Sequence, residues 1–167
     1  MATQECPCGY YGDPTRECSC AAPVVQRYRT RISGPLLDRI DIQIEVPAVK
    51  FRELASPGPG ESSADIRARV ELARNRQLER FQGRSVYSNA QMSSRDLRLH
   101  CQLDRAGERL LEQAMQRLGL SARAYARILK VARTIADLDA QERIAASHVA
   151  EAIQYRSLDR AVAWGEG

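Results

Sequence analysis

Leu120-Ser121-Ala122-Arg123-Ala124-Tyr125-Ala126-Arg127-Ile128-Leu129-Lys130-Val131-Ala132-Arg133-Thr134-Ile135-Ala136-Asp137-Leu138 is the stretch that decides how this chain folds. Tyr125, Ile128, Leu129, Ala132, Ile135 and Ala136 recur at spacings of three and four, laying one apolar stripe along a helix. Ser121 stands where a hydroxyl can accept from a free first-turn amide, so it caps that helix. Just upstream, Asp104 begins a helix carrying Leu110, Leu111, Ala114, Met115 and Leu118, and Gly119 stops it. Downstream, Ser147 is expected to cap a last helix with Val149, Ile153 and Tyr155. Farther back, Ser62 or Ser63 caps a helix to about Phe81, its period set by Ile66, Val70, Ala73, Arg74, Gln77 and Phe81. A polar loop from Gly83 to Gln91 then leads to a shorter helix opening at Ser93-Ser94-Arg95-Asp96. Residues 63–160 therefore read as a helical bundle, with a tail at 161–167.

The N-terminal third reads differently. Ala55-Ser56-Pro57-Gly58-Pro59-Gly60 continues neither helix nor strand, so 55–62 is a flexible linker. Before it, Ile40, Ile42, Ile44 and Val46 alternate with Asp41, Gln43 and Glu45, and Pro47 closes the run. Period two predicts a strand with one buried face. One strand cannot make a sheet. Residues 1–54 thus look like the end of a larger sheet domain, and the chain like a fragment. Pro23 opens a helix to about Ile32, with Val24, Val25, Tyr28 and Ile32 on one face, and Gly34-Pro35 resets the chain for a single turn from Leu36 to Arg39.

Cys6-Pro7-Cys8 and Cys18-Ser19-Cys20 lie nine residues apart in a loop at about 5–20 that is rich in Gly, Pro and polar residues. Two Cys-x-Cys pairs supply four soft ligands to one tetrahedral metal, and zinc is the usual occupant. The competing readings are a pair of disulfides or four unbound thiols. Four thiolates leave no open position, so a metal there holds the loop rather than catalyses. Cys101 stands alone in a helical stretch and reads as a packing residue.

Composition bounds the rest. The chain has 167 residues, 44% of them hydrophobic, enough for one ordinary domain or two small ones. The net charge of +4 is too mild to announce a nucleic-acid binder by itself. No stretch approaches the roughly 20 apolar residues of a membrane helix, and the N-terminus lacks the layout of a signal peptide. A cytoplasmic location without membrane contact is the expectation, and it favours metal over disulfides. His100 and His148 have no partnered spacing and read as surface residues. Arg67, Arg69, Arg74, Arg76 and Arg80 are interspersed with Asp65, Glu71 and Glu79, the pattern of a solvated face.

The run Cys-Pro-Cys-Gly-Tyr-Tyr-Gly-Asp-Pro, the second Cys-x-Cys, Arg31-Ile32-Ser33-Gly34-Pro35-Leu36-Leu37-Asp38-Arg39-Ile40-Asp41 and the stretch 120–138 together resemble the magnesium-chelatase-like branch of the AAA+ ATPases. The resemblance is to its ComM/YifB-type group and covers most of residues 6–158. It implies a mainly α chain: the C-terminal helical lid bundle of an AAA+ ATPase, preceded by a four-cysteine zinc knuckle, one helix and a single remnant strand of the α/β core. Such proteins resemble ring-forming motors, hexameric by expectation, and the group is associated with DNA branch migration in natural transformation. The partners implied are the chain's own N-terminal ATPase core, further copies of the parent, and DNA. A regulatory ATPase acting on proteins fits the same resemblance.

Residue by residue, Arg39 looks like the family's arginine finger, reaching a neighbouring subunit's ATP in trans. Arg123 looks like the lid sensor that contacts ATP phosphates in cis, with Arg127 one turn on as the second choice. Without the resemblance, Arg39 reads as a surface arginine paired with Asp38, Asp41 or Glu45, and Arg123 as an exposed helix residue opposing the helix dipole. Two departures stand out. No Gly-x-x-x-x-Gly-Lys-Ser/Thr loop is present, so ATP and Mg²⁺ belong to the full-length protein and this chain alone is expected to be inactive. Gln4-Glu5 occupies the place of the family's Asn-Pro, and the phosphate-sensing role of that Asn is not carried over to Gln4. The reading from another class is a non-catalytic zinc-knuckle adaptor whose loop presents Tyr10, Tyr11 or Arg16 to protein or DNA.

Overall fold

The computed structural model describes residues 2–47, 49 and 60–156. Residues 55–59 of the expected linker and the expected tail at 161–167 lie outside them. The chain divides into two compact units, Met1–Gly58 with Ser157–Gly167, and Pro59–Arg156. Among the described residues the regular structure is almost wholly helical, as the hydrophobic spacing predicts.

In the first unit, Pro23 sits in the opening turn of α1 (Ala22–Arg29), where its missing N–H costs nothing. Val25 is buried, and the single turn expected from Leu36 to Arg39 is present two residues earlier, as α2 (Gly34–Leu37), which takes in Gly34-Pro35 itself. The strand predicted at Ile40–Val46 is not present as one. Residues 42–47 pair with no ladder among the described residues. Ile42, Ile44 and Val46 are 53, 65 and 76% exposed, while Gln43 turns inward and donates to the Leu37 carbonyl at 3.1 Å. The alternation exists in the sequence, but a strand needs neighbouring strands to satisfy its amides and carbonyls. None lies among the described residues.

The second unit follows its caps. Ser62 accepts from the Asp65 amide and starts α3 (Ser63–Arg80). Ser93 and Asp96 close a reciprocal capping box on α4 (Ser94–His100), the arrangement that satisfies two orphan donors at once. Asp104 caps α5 (Arg105–Leu118), which ends at Gly119 with φ of 59°, a left-handed position that suits glycine. Ser121 accepts from the Ala124 amide and opens α6 (Ala122–Leu138). Helix α6 packs against α3 and against α7 (Ala146–Gln154), and α7 also meets α5. The stripe on α6 becomes the core: Ile128, Ala132 and Ala136 are fully buried, joined by Val149 of α7 and Phe81 after α3. Tyr125 departs from the predicted stripe and is 44% exposed, because Ala124 beside it, 1% exposed, takes the inward-facing position of that turn.

Helix α7 corrects two expectations. It starts at Ala146 with Ala145 as its N-cap, not at Ser147. Alanine has no capping oxygen, and His148 Nδ1 instead accepts from the Ala145 amide at 3.0 Å. His148 is therefore buried rather than on the surface, with Nε2 3.2 Å from Asp139 Oδ2. His100 is likewise partly buried and packs edge-on against the Phe81 ring, centroids 5.7 Å apart. Among the described residues, no helix is long and apolar enough to cross a membrane.

Candidate metal centre and arginine positions

The four paired cysteines converge. Cys6, Cys8, Cys18 and Cys20 bring their sulfurs within 4.8 Å of one another. Local chemistry shapes this loop. Gly9 and Gly12 take φ of 82° and 78°, positions open to glycine at no steric cost. The Gly9 amide donates to the Cys6 carbonyl at 3.1 Å, turning the chain back between the two ligands of the first pair. Asp13 Oδ1 accepts from the amides of Thr15 and Arg16 at 2.7 and 3.0 Å and sets the turn toward the second pair. Arg16 lies over the Tyr10 ring, 4.0 Å from its centroid, and donates to the Tyr10 hydroxyl. Glu5 and Arg29 form an ion pair that ties the loop to α1.

Sulfur separations of 3.3 Å (Cys6–Cys8), 3.5 Å (Cys8–Cys18) and 3.7 Å (Cys6–Cys18) approach the edge of a tetrahedron, about 3.8 Å for metal–sulfur bonds of about 2.3 Å. The donor set fits a divalent metal. The Tyr10 amide, followed by the Cys6 thiol, draws the Cys8 pKa down to about 5, so this sulfur is a thiolate at neutral pH. Although the Cys20 amide lowers it, burial and the neighbouring thiols push Cys18 up to about 12. Four sulfurs cannot all ionise side by side without a cation, and a coordinated metal supplies that charge. All five cysteines are free thiols, and Cys101 is buried in the core of the helical unit.

Of the arginines singled out from the sequence, Arg39 belongs to the first unit and Arg123 and Arg127 to the second. Arg39 follows the one-turn α2 and is exposed, its amide donating to the Leu36 carbonyl. Arg123 lies in the first turn of α6 and is exposed, and Arg127 one turn on is half-buried.

A second charged cluster was not foreseen. Arg76 and Arg80 of α3 turn onto the end of α6 rather than to solvent, which corrects the reading of a uniformly solvated face. Arg80 donates twice to the fully buried Asp137 carboxylate and once to Asn89 Oδ1. Arg76 donates to the Asp137 backbone carbonyl at 2.9 Å. Arg133, itself 3% exposed, gives Nη1 and Nη2 to the carbonyls of Glu142 and Gln141. These bonds occupy carbonyls at and just past the C-terminal end of α6, which a helix leaves without internal partners. The only sequence signal was the i, i+4 pair Arg133/Asp137 inside the apolar stripe.

Comparison with known proteins decides the relationship. Residues 60–156 match the family model described as magnesium chelatase, subunit ChlI C-terminal. Residues 1–54 match that described as magnesium chelatase, subunit ChlI. The chain belongs to the magnesium chelatase ChlI family. Within that family it is similar to the competence protein ComM of Haemophilus influenzae, 44% identical over 137 residues, covering 81% of this chain and 26% of the relative. It is also 41% identical to the YifB protein of Escherichia coli over 162 residues, 92% of this chain and 29% of the relative. This ChlI-family chain thus spans under a third of the length of the curated relatives it matches.

Proposed function

We propose that this chain is the C-terminal part of a ComM-type AAA+ ATPase: the end of the nucleotide-binding core at 1–54, a linker at 55–62, the helical lid at 63–160 and a tail at 161–167. The parent is a cytoplasmic homo-oligomeric ring, a hexamer in this reading, that hydrolyses ATP–Mg²⁺ between subunits and drives branch migration of DNA. The observation that carries the reading is the match of both segments, in order, to ChlI family models, together with 44% identity to a competence protein.

Within it, Arg39 acts in trans on the transferring phosphoryl group and Arg123 acts in cis from the lid, with Arg127 as the alternative. The exposure of Arg39 and Arg123 agrees with roles that need a reaching guanidinium. The four cysteines hold Zn²⁺, the metal that four thiolates in a tetrahedron favour. Bound there, zinc supplies folding energy to a loop with little core of its own. The residues' own work is to converge, ionise and close the turn.

The test is ATP-driven branch movement of a three-strand DNA junction by the full-length parent, intact and with the lid removed. The reading expects movement by the intact protein only. If the intact parent moves no junction, the motor reading fails. If this chain alone binds branched or duplex DNA at micromolar concentration, with a steep salt dependence, it acts as an adaptor instead.

A further inference from the structure

The C-terminal end of α6 forms one wall of an open hollow of about 580 Å³. Its lining includes Arg76 and Arg80 from α3, His100 from α4, Arg133 from α6, and Arg143 from the loop before α7. Four arginines line it against three carboxylates, Glu79, Asp137 and Glu142. Only Asp137 among those three is buried, and it is shared by Arg80 and Arg133. Arg76 is bonded to a neutral backbone carbonyl. The inner wall therefore holds three guanidiniums around one carboxylate, in partly buried surroundings where charge is weakly screened. His100 responds to this field: burial first, then the charge of Arg80, with Arg84 and Arg133 adding, holds its pKa below the usual value against the pull of Asp96.

We propose that this hollow binds a phosphoryl anion. Arg80 and Arg133 commit their forks to Asp137 and to the Glu142 and Gln141 carbonyls and contribute charge. Exposed Arg143 brings forked donors that match the oxygens of phosphate, and the cationic surplus favours a multiply charged ligand over a single carboxylate. Exposed Arg143 stands at the rim, placed to close over the bound group. The volume is several times that of one phosphate, so the hollow has room for more than one phosphoryl group, as in a polyphosphate or a phosphodiester chain. The site is distinct from the lid-sensor position. Asp137 lies fourteen residues along α6 from Arg123, about 21 Å at the rise of an α-helix. It stands whether or not the parent hydrolyses ATP.

The test is NMR titration of the full 167-residue chain with sodium pyrophosphate, following the His100 ring and the amides of residues 140–143. A second arm adds a single-stranded oligonucleotide lacking terminal phosphates. Saturable shifts at these positions are expected, with affinity falling about tenfold in Arg143→Glu, the loss of one charge-assisted contact. Arg76→Gln should weaken binding similarly, and Arg117→Glu, exposed on α5, should leave it unchanged. Displacement of pyrophosphate by the oligonucleotide supports the site and identifies nucleic-acid backbone as its source. Binding without displacement supports it and identifies a small phosphorylated ligand. The proposal is overturned if no saturable shift occurs, if Arg143→Glu binds as wild type does, or if Arg117→Glu weakens binding equally.

Discussion

Arg80 and Asp137, 57 residues apart in sequence, meet as a two-pronged ion pair, with Nη2 2.5 Å from Oδ1 and Nη1 2.8 Å from Oδ2. Asp137 is fully buried, and Asn89 Nδ2 also donates to it at 2.8 Å. The pair fastens the end of α3 to the end of α6. Removing the carboxylate leaves Arg80 and Arg133 facing each other without compensation. Asp137→Ala should therefore cost about 3–5 kcal/mol, the range for breaking a buried pair from one side. In urea denaturation the midpoint should fall while the slope is unchanged.

Asp96 gives a pH prediction. Its bond from Arg84 at 2.6 Å, then the amide and hydroxyl of Ser93, hold its carboxyl well below the usual carboxylate range. A depressed folded pKa contributes stability that is fully present above the unfolded value of about 3.9 and is lost as pH falls through the folded value. The thermal midpoint of wild type should drop as pH is lowered below about 4. Asp96→Asn should start lower at neutral pH and show a flatter acid limb, measured by circular dichroism.

Much of this bundle was legible because its signals are local. Ser93, Asp104, Gly119 and Ser121 mark helix ends through bonds within one turn, and each stands where the spacing predicts. The start of α7 was missed because the capping group is the ring of His148, working backward onto Ala145. The Arg80–Asp137 pair joins distant segments, and nothing within either helix announces the other. Ile40–Val46 shows the opposite case: the alternation is clear, but strand structure depends on partners that the pattern cannot supply. The four cysteines were legible by spacing alone, since two short pairs limit where their sulfurs can lie.

Metal content separates the two units. Chain prepared with zinc should hold one equivalent, and Cys6→Ser should lose it. Cobalt substitution should give the intense charge-transfer bands of thiolate coordination. Chelation should alter amide signals of residues 2–47 and leave the helical unit's melting transition in place, because its core contains none of the four cysteines.

Cys101 should behave as the odd thiol. Burial pushes its pKa up to about 11, and its sulfur sits 4.0 Å from Met92 Sδ in the core. With metal removed, Cys8, whose pKa is drawn down, should react first with a thiol reagent at neutral pH, and Cys101 only on unfolding. Early reaction of Cys101 would show that the core opens.

The most direct measurement is steady-state ATP hydrolysis by the full-length parent, wild type against Arg39→Ala, with ATP affinity measured alongside. The account predicts hydrolysis reduced by about 10³-fold or more while ATP still binds, the signature of a finger acting in trans. Unchanged hydrolysis would contradict it, and would leave Arg39 a surface residue and this chain without a part in the ATPase reaction through that turn.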